Sequence, residues 1–581
     1  MNCEMTRKRS RCFVAAYVLS AFILVLSATF SQREFQDSWV LEGLFIQTLL
    51  LCLTFLIVVV NVRSSTKLVL LIASFLVLLS AVPNLKYVQI YGAYDSIAHY
   101  GYANRIISSG HVPESGFYAK EYSGTPGMHI LLVTIALITG SSTTLAIKLF
   151  LVVISSMSPF IVYFVTKGAF NEDTRSFILL ALCFSLPLFS SLWGSSFGLT
   201  MYFIFISVFL RQTLASQSLG QFNLILMVIG MSLIISHGVT SVFLSLLMFG
   251  TIFTLKISEL VRKTNITIII SRYLYISFFL GVSLLAWWVF QARNLFYNFL
   301  VGMLKSLFIE RSTIPVPSKF YELLPSEQLA LIYVRFYDIF VILALSLVGL
   351  IFYVATFRKQ YSKKTRTLYL QIFCMLVATA VIAFPFFLKL RSYTFERFIN
   401  YSKLLAPFFI GLGLYGLFRY LRVHMKRPVV RNLSFTLLLF ILLVPLLPAK
   451  FTCQPLLPRN NQNEYIVDYG SVNTVYQMRM IQFAESHYVN GSKIASDIVT
   501  SWQIFGLTNT SFSSGYSWHN PLYENNTESD MILLHYSGIS GPLNEKVEYR
   551  TRAKLNEFKF KFGNNIVYDN GESFVIAPNN E

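Results

Sequence analysis

The sequence predicts an α-helical polytopic membrane protein with a small C-terminal α/β domain, and three observations carry that prediction. Apolar runs long enough to cross a bilayer recur from near the N-terminus to residue 449. Only 13% of the residues are charged, where a soluble protein carries about a quarter, and 55% are hydrophobic. After residue 450 the long apolar runs stop and carboxylates become frequent. The formal net charge of +19 does not point to nucleic acid, because Lys and Arg cluster in short loops between apolar runs.

Near the N-terminus, residues 5–11, MTRKRSR, stand ahead of an apolar run. That run is long and lacks a small-residue cleavage site, which predicts a retained first helix. Thirteen runs qualify as spanning helices, at about 12–30, 40–61, 68–82, 144–166, 176–191, 197–212, 221–236, 238–256, 265–289, 331–356, 367–388, 402–418 and 432–449. Basic clusters orient them: Arg7, Lys8, Arg9 and Arg11; Arg63 and Lys67; Lys256, Arg262 and Lys263; Arg358, Lys359, Lys363, Lys364 and Arg366; and Arg419, Arg422, Lys426, Arg427 and Arg431. With thirteen spans all of these clusters fall on the cytoplasmic side, as does the N-terminus. Residues 125–140, TPGMHILLVTIALITG, are apolar as well. Counting them as a span would put the two richest basic loops outside, and their apolar core is short of the roughly 20 residues a span needs. They are therefore expected to form an interfacial or re-entrant helix, with residues 83–142 as one outside loop.

That loop contains a polar island at 94–113, YDSIAHYGYANRIISSGHVP. Helical spacing puts His99 one turn after Asp95 and aligns His99, Tyr102, Ala103, Ile106 and Ile107, with Gly110 and Pro113 ending the helix. The pattern is that of a short amphipathic helix at a membrane surface. Other outside turns are 191–197 (SLWGSSF, uncharged), 236–238 with His237, and the long segment 291–330. The turn 389–403, KLRSYTFERFINYSK, holds Lys389, Arg391, Glu396, Arg397 and Lys403, against the positive-inside trend. Binding an anionic group is a natural reason for such an exception.

Residues 450–581 form the expected extracytoplasmic domain. A helix is expected over 472–489, strands at 493–497 and 531–535, and a hairpin of 566–568 and 573–576 around Asp569-Asn570-Gly571. Glycosylation triplets at Asn490, Asn509 and Asn525 are compatible with that side. The six cysteines are scattered without a CxxC pair, and only Cys453 falls outside, so neither a disulfide framework nor a metal knuckle is expected.

Over 94–140 the sequence resembles the GT-C superfamily of membrane glycosyltransferases. The residues that carry the likeness are Y-D-x-x-x-H-x-x-x-A-x-x-I-x-x-x-G-x-x-P from Tyr94, and the continuation YAKEYSGTPGMHILLVTIALITG at 118–140. The likeness is strongest to protein mannosyltransferases, aminoarabinose transferases and oligosaccharyltransferases of archaeal or bacterial type. It implies a GT-C-type fold and a polyprenyl (dolichyl-type) phosphate-linked sugar donor. It also implies transfer to a glycan, lipid or protein at the outer face of the cell membrane. It matches Asp95 to the superfamily's first-loop acid. Glu121 stands near a second acid of some members, with Lys120 beside it placed to meet phosphate. Three departures favour a monosaccharide transferase over a metal-dependent oligosaccharyltransferase: Asp95 has Tyr94 and Ser96 as neighbours instead of a second acid, 191–197 has no acid, and Trp502 stands alone.

In this reading Asp95 is the base that takes the acceptor hydroxyl's proton, and a helix N-cap is the plain alternative. Arg391 and Arg397 suit an anionic lipid phosphate through their guanidinium forks, against interfacial snorkelling. Glu396 either pairs with a neighbouring Arg or acts directly. His99 is a candidate to orient Asp95 or bind substrate. His237 is a candidate phosphate ligand or a plain surface histidine, and His129 receives no role. No metal or other cofactor is required; a divalent ion on Asp95, His99, His111 and Glu114 is the alternative, with no tight ligand spacing behind it. Oligosaccharide transfer to protein is the second enzymatic reading. A flippase or transporter predicts internal repeats, and none is seen. A sensor with a binding domain outside leaves the basic turn at 389–403 without a purpose.

Overall fold

The computed structural model describes residues 69–70, 73–74, 94–113, 122–167, 169–185, 194–214, 219–262, 267–293, 296–297, 301, 342–354, 363–388, 400–443, 483 and 486, and the strands at 494–496, 531–535, 566–569 and 573–576. Twelve helices are distinguished among them. α1 is Tyr94–Ser109, α2 Gly127–Thr139, α3 Thr143–Thr166, α4 Glu172–Ser185, α5 Gly194–Leu214 and α6 Leu219–Ser236. α7 is Gly238–Arg262, α8 Thr267–Phe290, α9 Ile342–Phe352, α10 Lys363–Leu388, α11 Ala406–His424 and α12 Pro428–Leu443.

Three of these helices are long and apolar enough to cross a membrane: Gly238–Leu260, Thr267–Phe290 and Lys364–Ala383. On α7 the residues Leu246, Phe249, Phe253, Ile257 and Leu260 point outward at helical spacing, and on α8 Leu274, Phe278, Val282, Leu285 and Val289 do the same. An apolar stripe facing away from the core is what lipid-facing helices need. α3 to α12 overlap the expected runs from 144 to 449, while the runs at 12–30 and 40–61 lie outside the described residues. Several hydroxyls inside the bundle bond their own helix, as in Thr251 Oγ1 to the Leu247 carbonyl at 2.7 Å and Thr379 Oγ1 to the Met375 carbonyl at 2.9 Å. Such bonds satisfy a hydroxyl in an apolar medium, whereas the hydroxyls of Thr174, Ser277, Ser346 and Thr436 are buried with no hydrogen-bond partner among the described residues.

Where lipid removes much of the hydrophobic drive, helices associate by close packing at small residues. The α4–α11 crossing is such a contact: a Cβ added at Gly411 would lie 2.6 Å from Ile178 Cα. Gly413 likewise sits against Gly349 of α9, and Gly416 against Phe352. Phe177 packs on Tyr415, Phe418 and Phe435, joining α4, α11 and α12. α7 packs on α8 and α10, and α5 on α6. One continuous core runs through α3–α12 with Phe205, Phe209, Tyr273, Phe243 and Tyr202 at its centre.

One end of the bundle is basic. Arg211 donates to the Lys167 carbonyl, and Arg272 Nη1 to the Gln212 carbonyl at 3.3 Å. Lys256 pairs with Glu259 at 2.8 Å, and Thr365 reaches the Ala169 carbonyl. Arg175, Arg211 and Arg431 lie over Tyr163, Phe164 and Phe418.

The described strands are β1 Ile494–Ser496, β2 Met531–His535, β3 Ile566–Asp569 and β4 Ser573–Ile576. They form one sheet of order β1-β2-β4-β3, with β1 parallel to β2 and the rest antiparallel. All four stand where alternation and the Asp-Asn-Gly turn place strands; the helix expected at 472–489 and the domain boundary at 450 lie almost wholly outside the described residues.

Candidate functional site

The opposite end of the bundle is built from α1 and α2. Asp95 stands in the first turn of α1, where the helix dipole favours an acid. The expected inner face is observed: His99, Tyr102, Ala103 and Ile106 are buried, while Ile107 is 37% exposed. Gly110 ends the helix at φ 72°, a left-handed conformation that glycine adopts without a Cβ penalty, and its N–H reaches the Ile106 carbonyl at 2.9 Å. α2 ends in the same way at Gly140, φ 62°. Ser142 then caps α3 by accepting from the Leu145 N–H at 3.3 Å. α2 and the start of α3 meet at a bend of 112°, so 127–150 is either one broken span or a re-entrant unit, the second being one of the two forms expected for 125–140.

His99 and His129 join α1 to α2. His99 Nδ1 and His129 Nε2 are 2.9 Å apart, and each side chain is 1% exposed. Tyr122 meets His99 edge-on with ring centroids 4.7 Å apart, and Tyr102 packs on His129 at 4.6 Å. Burial pushes the Tyr102 phenol pKa up, so its hydroxyl keeps the proton it donates to the Pro113 carbonyl at 3.3 Å. Val133 completes this cluster, and Met128, Leu132, Ile147 and Phe197 form a second one beside it.

The segment leading into α2 is docked on the bundle. Trp287 Nε1 of α8 donates to the Gly124 carbonyl at 2.8 Å, and a Cβ at Gly124 would lie 2.8 Å from Ala292 Cβ. Gly127 lies against Ile235 and Ser236, at the end of α6. The next residue in the chain after Ser236 is His237, between α6 and α7. His237 Nδ1 accepts the Thr240 N–H at 3.2 Å and so caps α7. An Nδ1 that accepts leaves the ring proton on Nε2. Thr240 Oγ1, 2.7 Å from the same Nδ1, then donates to it and accepts from the Tyr401 hydroxyl at 2.6 Å. The Tyr401 ring stacks on Phe243 at 4.2 Å and 12°. Gly198 of α5 closes the group: a Cβ there would be 2.8 Å from His237 Cγ.

Of the sequence candidates, His99 and His237 thus stand at one end of the bundle, and the backbone of Asp95 belongs to the same helix as His99. The Asp95 side chain, Lys120, Glu121, Arg391, Glu396 and Arg397 lie outside the described residues. Tyr122 follows Glu121 directly, and Tyr401 stands four residues after Arg397. Sequence reasoning did not single out His129, Tyr122, Thr240, Trp287 or Tyr401. His129 carried a usable signal, because an imidazole buried in an apolar helix requires a partner. For a divalent ion, His99 Nδ1 is occupied by His129 and His111 Nδ1 lies 2.9 Å from the Ser109 carbonyl. Among the described residues no three His, Cys, Asp or Glu side chains gather.

No protein-family model matches the chain, and no curated protein is similar to it. Solved structures are similar in fold. The oligosaccharyltransferase of Archaeoglobus fulgidus, solved in complex with Zn and sulfate, superposes with a TM-score of 0.52 at 12% identity over 88% of this chain and 73% of its own. ArnT from Cupriavidus metallidurans in the apo state gives 0.45 at 10% identity over 84% and 94%. ArnT bound to undecaprenyl phosphate gives 0.46 at 12% over 89% and 98%. The first of these likenesses bears out the GT-C fold expected from residues 94–140.

Proposed function

We propose that this chain is a membrane glycosyltransferase that moves one sugar from a polyprenyl phosphate to an acceptor hydroxyl on a glycan, lipid or protein at the outer membrane face. The observation that carries the reading is the convergence at one bundle end. Helix α1 with Asp95, helix α2, the His237 turn and Tyr401, four residues from Arg397, are joined there by hydrogen bonds and close contacts. The fold shared with an oligosaccharyltransferase agrees with it.

In the proposed reaction the acceptor oxygen attacks the anomeric carbon as the bond from that carbon to the phosphate oxygen breaks. Asp95 takes the hydroxyl proton, and attack opposite the leaving group inverts the anomeric centre. Arg391 and Arg397 hold the leaving polyprenyl phosphate, with His237 Nε2–H as a further donor and Lys120 beside the path. Glu121 is a second carboxylate of the same loop, and Glu396 steadies the arginines. The second reading is transfer of a lipid-linked oligosaccharide to protein, which the likeness to the archaeal enzyme favours. A dependence on added divalent metal separates it from the first.

Mass spectrometry of polyprenyl-phosphate sugars and of glycoconjugates in a deletion strain tests the proposal. A lipid-linked sugar accumulates and a glycan loses one residue, and the wild-type gene restores both where Asp95→Asn does not. Unchanged lipid and glycan profiles in the deletion strain contradict the proposal.

A further inference from the structure

We propose that His129 is a positioning residue for the base: it donates its Nε2–H to His99 Nδ1 and thereby holds His99 as the Nε2–H tautomer, one helical turn from Asp95. The inference rests on the reading of Asp95 as the base. Two ring nitrogens 2.9 Å apart share one proton, so one ring donates and the other accepts. The two assignments differ in what they leave behind. His129 Nδ1 is fully buried and has no hydrogen-bond partner among the described residues. If His99 donated, neutral His129 would accept at Nε2 and carry its own proton on Nδ1, a buried N–H with nothing to bond. If His129 donates from Nε2, Nδ1 keeps only a lone pair, and buried acceptors are left unmatched more readily than buried N–H groups. The second assignment is therefore the stable one.

It has a consequence on α1. With Nδ1 accepting, the His99 proton sits on Nε2. Asp95 and His99 are spaced i, i+4, which puts them on one helix face with Cβ atoms about 5–6 Å apart. The tautomer fixes the His99 proton on Nε2, one helical turn from residue 95. Tyr122 and Tyr102 pack on the imidazole pair and shield it from water.

Solid-state NMR of the full-length protein in lipid, with histidine labelled by nitrogen-15, reads the tautomer without any activity assay. The expected result is an unprotonated His99 Nδ1 bonded to a protonated His129 Nε2, and a proton on His99 Nδ1 overturns the inference. Kinetics supply the second arm. His129→Gln keeps a donor near the Nε2 position and retains most of kcat. His129→Leu lowers kcat about ten-fold, the equivalent of ~1.4 kcal/mol, with KM little changed. Wild-type kcat in His129→Leu, alongside an inactive Asp95→Asn, overturns this inference alone. Wild-type activity in Asp95→Asn overturns both it and the reading of the base.

Discussion

Thr240 is the residue on which two distant parts of the chain meet, since its hydroxyl stands between His237 Nδ1 at 2.7 Å and the Tyr401 hydroxyl at 2.6 Å. The bonds order His237 and the helical turn that follows the basic segment 389–399. Tyr401→Phe removes one of them and is expected to cost about 1 kcal/mol, the usual net value of such a bond. Thr240→Val removes both side-chain bonds and costs more. Thermal unfolding midpoints in one detergent check the order, and a Thr240→Val midpoint at or above that of Tyr401→Phe contradicts it. His237 was legible in sequence as the lone imidazole of a turn between two apolar runs. Thr240 and Tyr401 were not, because they are 161 positions apart and nothing in the local pattern of either demands the other.

The elements at the candidate site and the bundle that carries it are held by glycines and one indole. The Gly411 contact with Ile178 leaves no room for a Cβ, whereas Gly140 has open space and is constrained only by its φ of 62°. Gly140→Ala is expected to cost roughly 1–2 kcal/mol of backbone strain. Gly411→Ala must separate α4 from α11, an overpacking cost of typically 1–3 kcal/mol or somewhat more, and unfolding midpoints should rank the pair in that order. Trp287→Phe keeps the ring and loses the donor to the Gly124 carbonyl, so it should lower transfer more than stability, as the lead into α2 loosens. α1 and α2 were legible nearly to the residue. Their apolar positions recur at three and four, and Gly110 and Gly140 mark the left-handed ends. The uncharged turn expected at 191–197 is partly helical, with α5 starting at Gly194, because glycine and serine tolerate a helix's first turn as well as a loop. The docking of 122–127 onto α6 and α8 was beyond sequence reading. It depends on small residues fitting surfaces more than 100 positions away.

The whole molecule has two chemically distinct ends. Arg211, Arg272, Lys256, Thr365 and the Arg431 contact gather at one, and the imidazoles of His99, His129 and His237 at the other. Lys256 and Arg431 belong to basic clusters that the sequence places on one side, because the membrane sets the placement of charge, whereas Arg211 and Arg272 belong to none of those clusters. In the proposed orientation a cysteine-free variant carrying a cysteine at Ser141 is labelled by an impermeant thiol reagent added outside intact cells, and one at Lys426 is labelled only after lysis. Labelling of Lys426→Cys from outside reverses the orientation. Turnover by purified protein in lipid reads the chemistry at the imidazole end without any cellular background. With a polyprenyl-phosphate sugar and its acceptor supplied, wild-type protein should release polyprenyl phosphate as the sugar is transferred, and a folded Asp95→Asn variant should lose at least ~100-fold in rate. Release and transfer at the wild-type rate by Asp95→Asn would show that Asp95 is not the base.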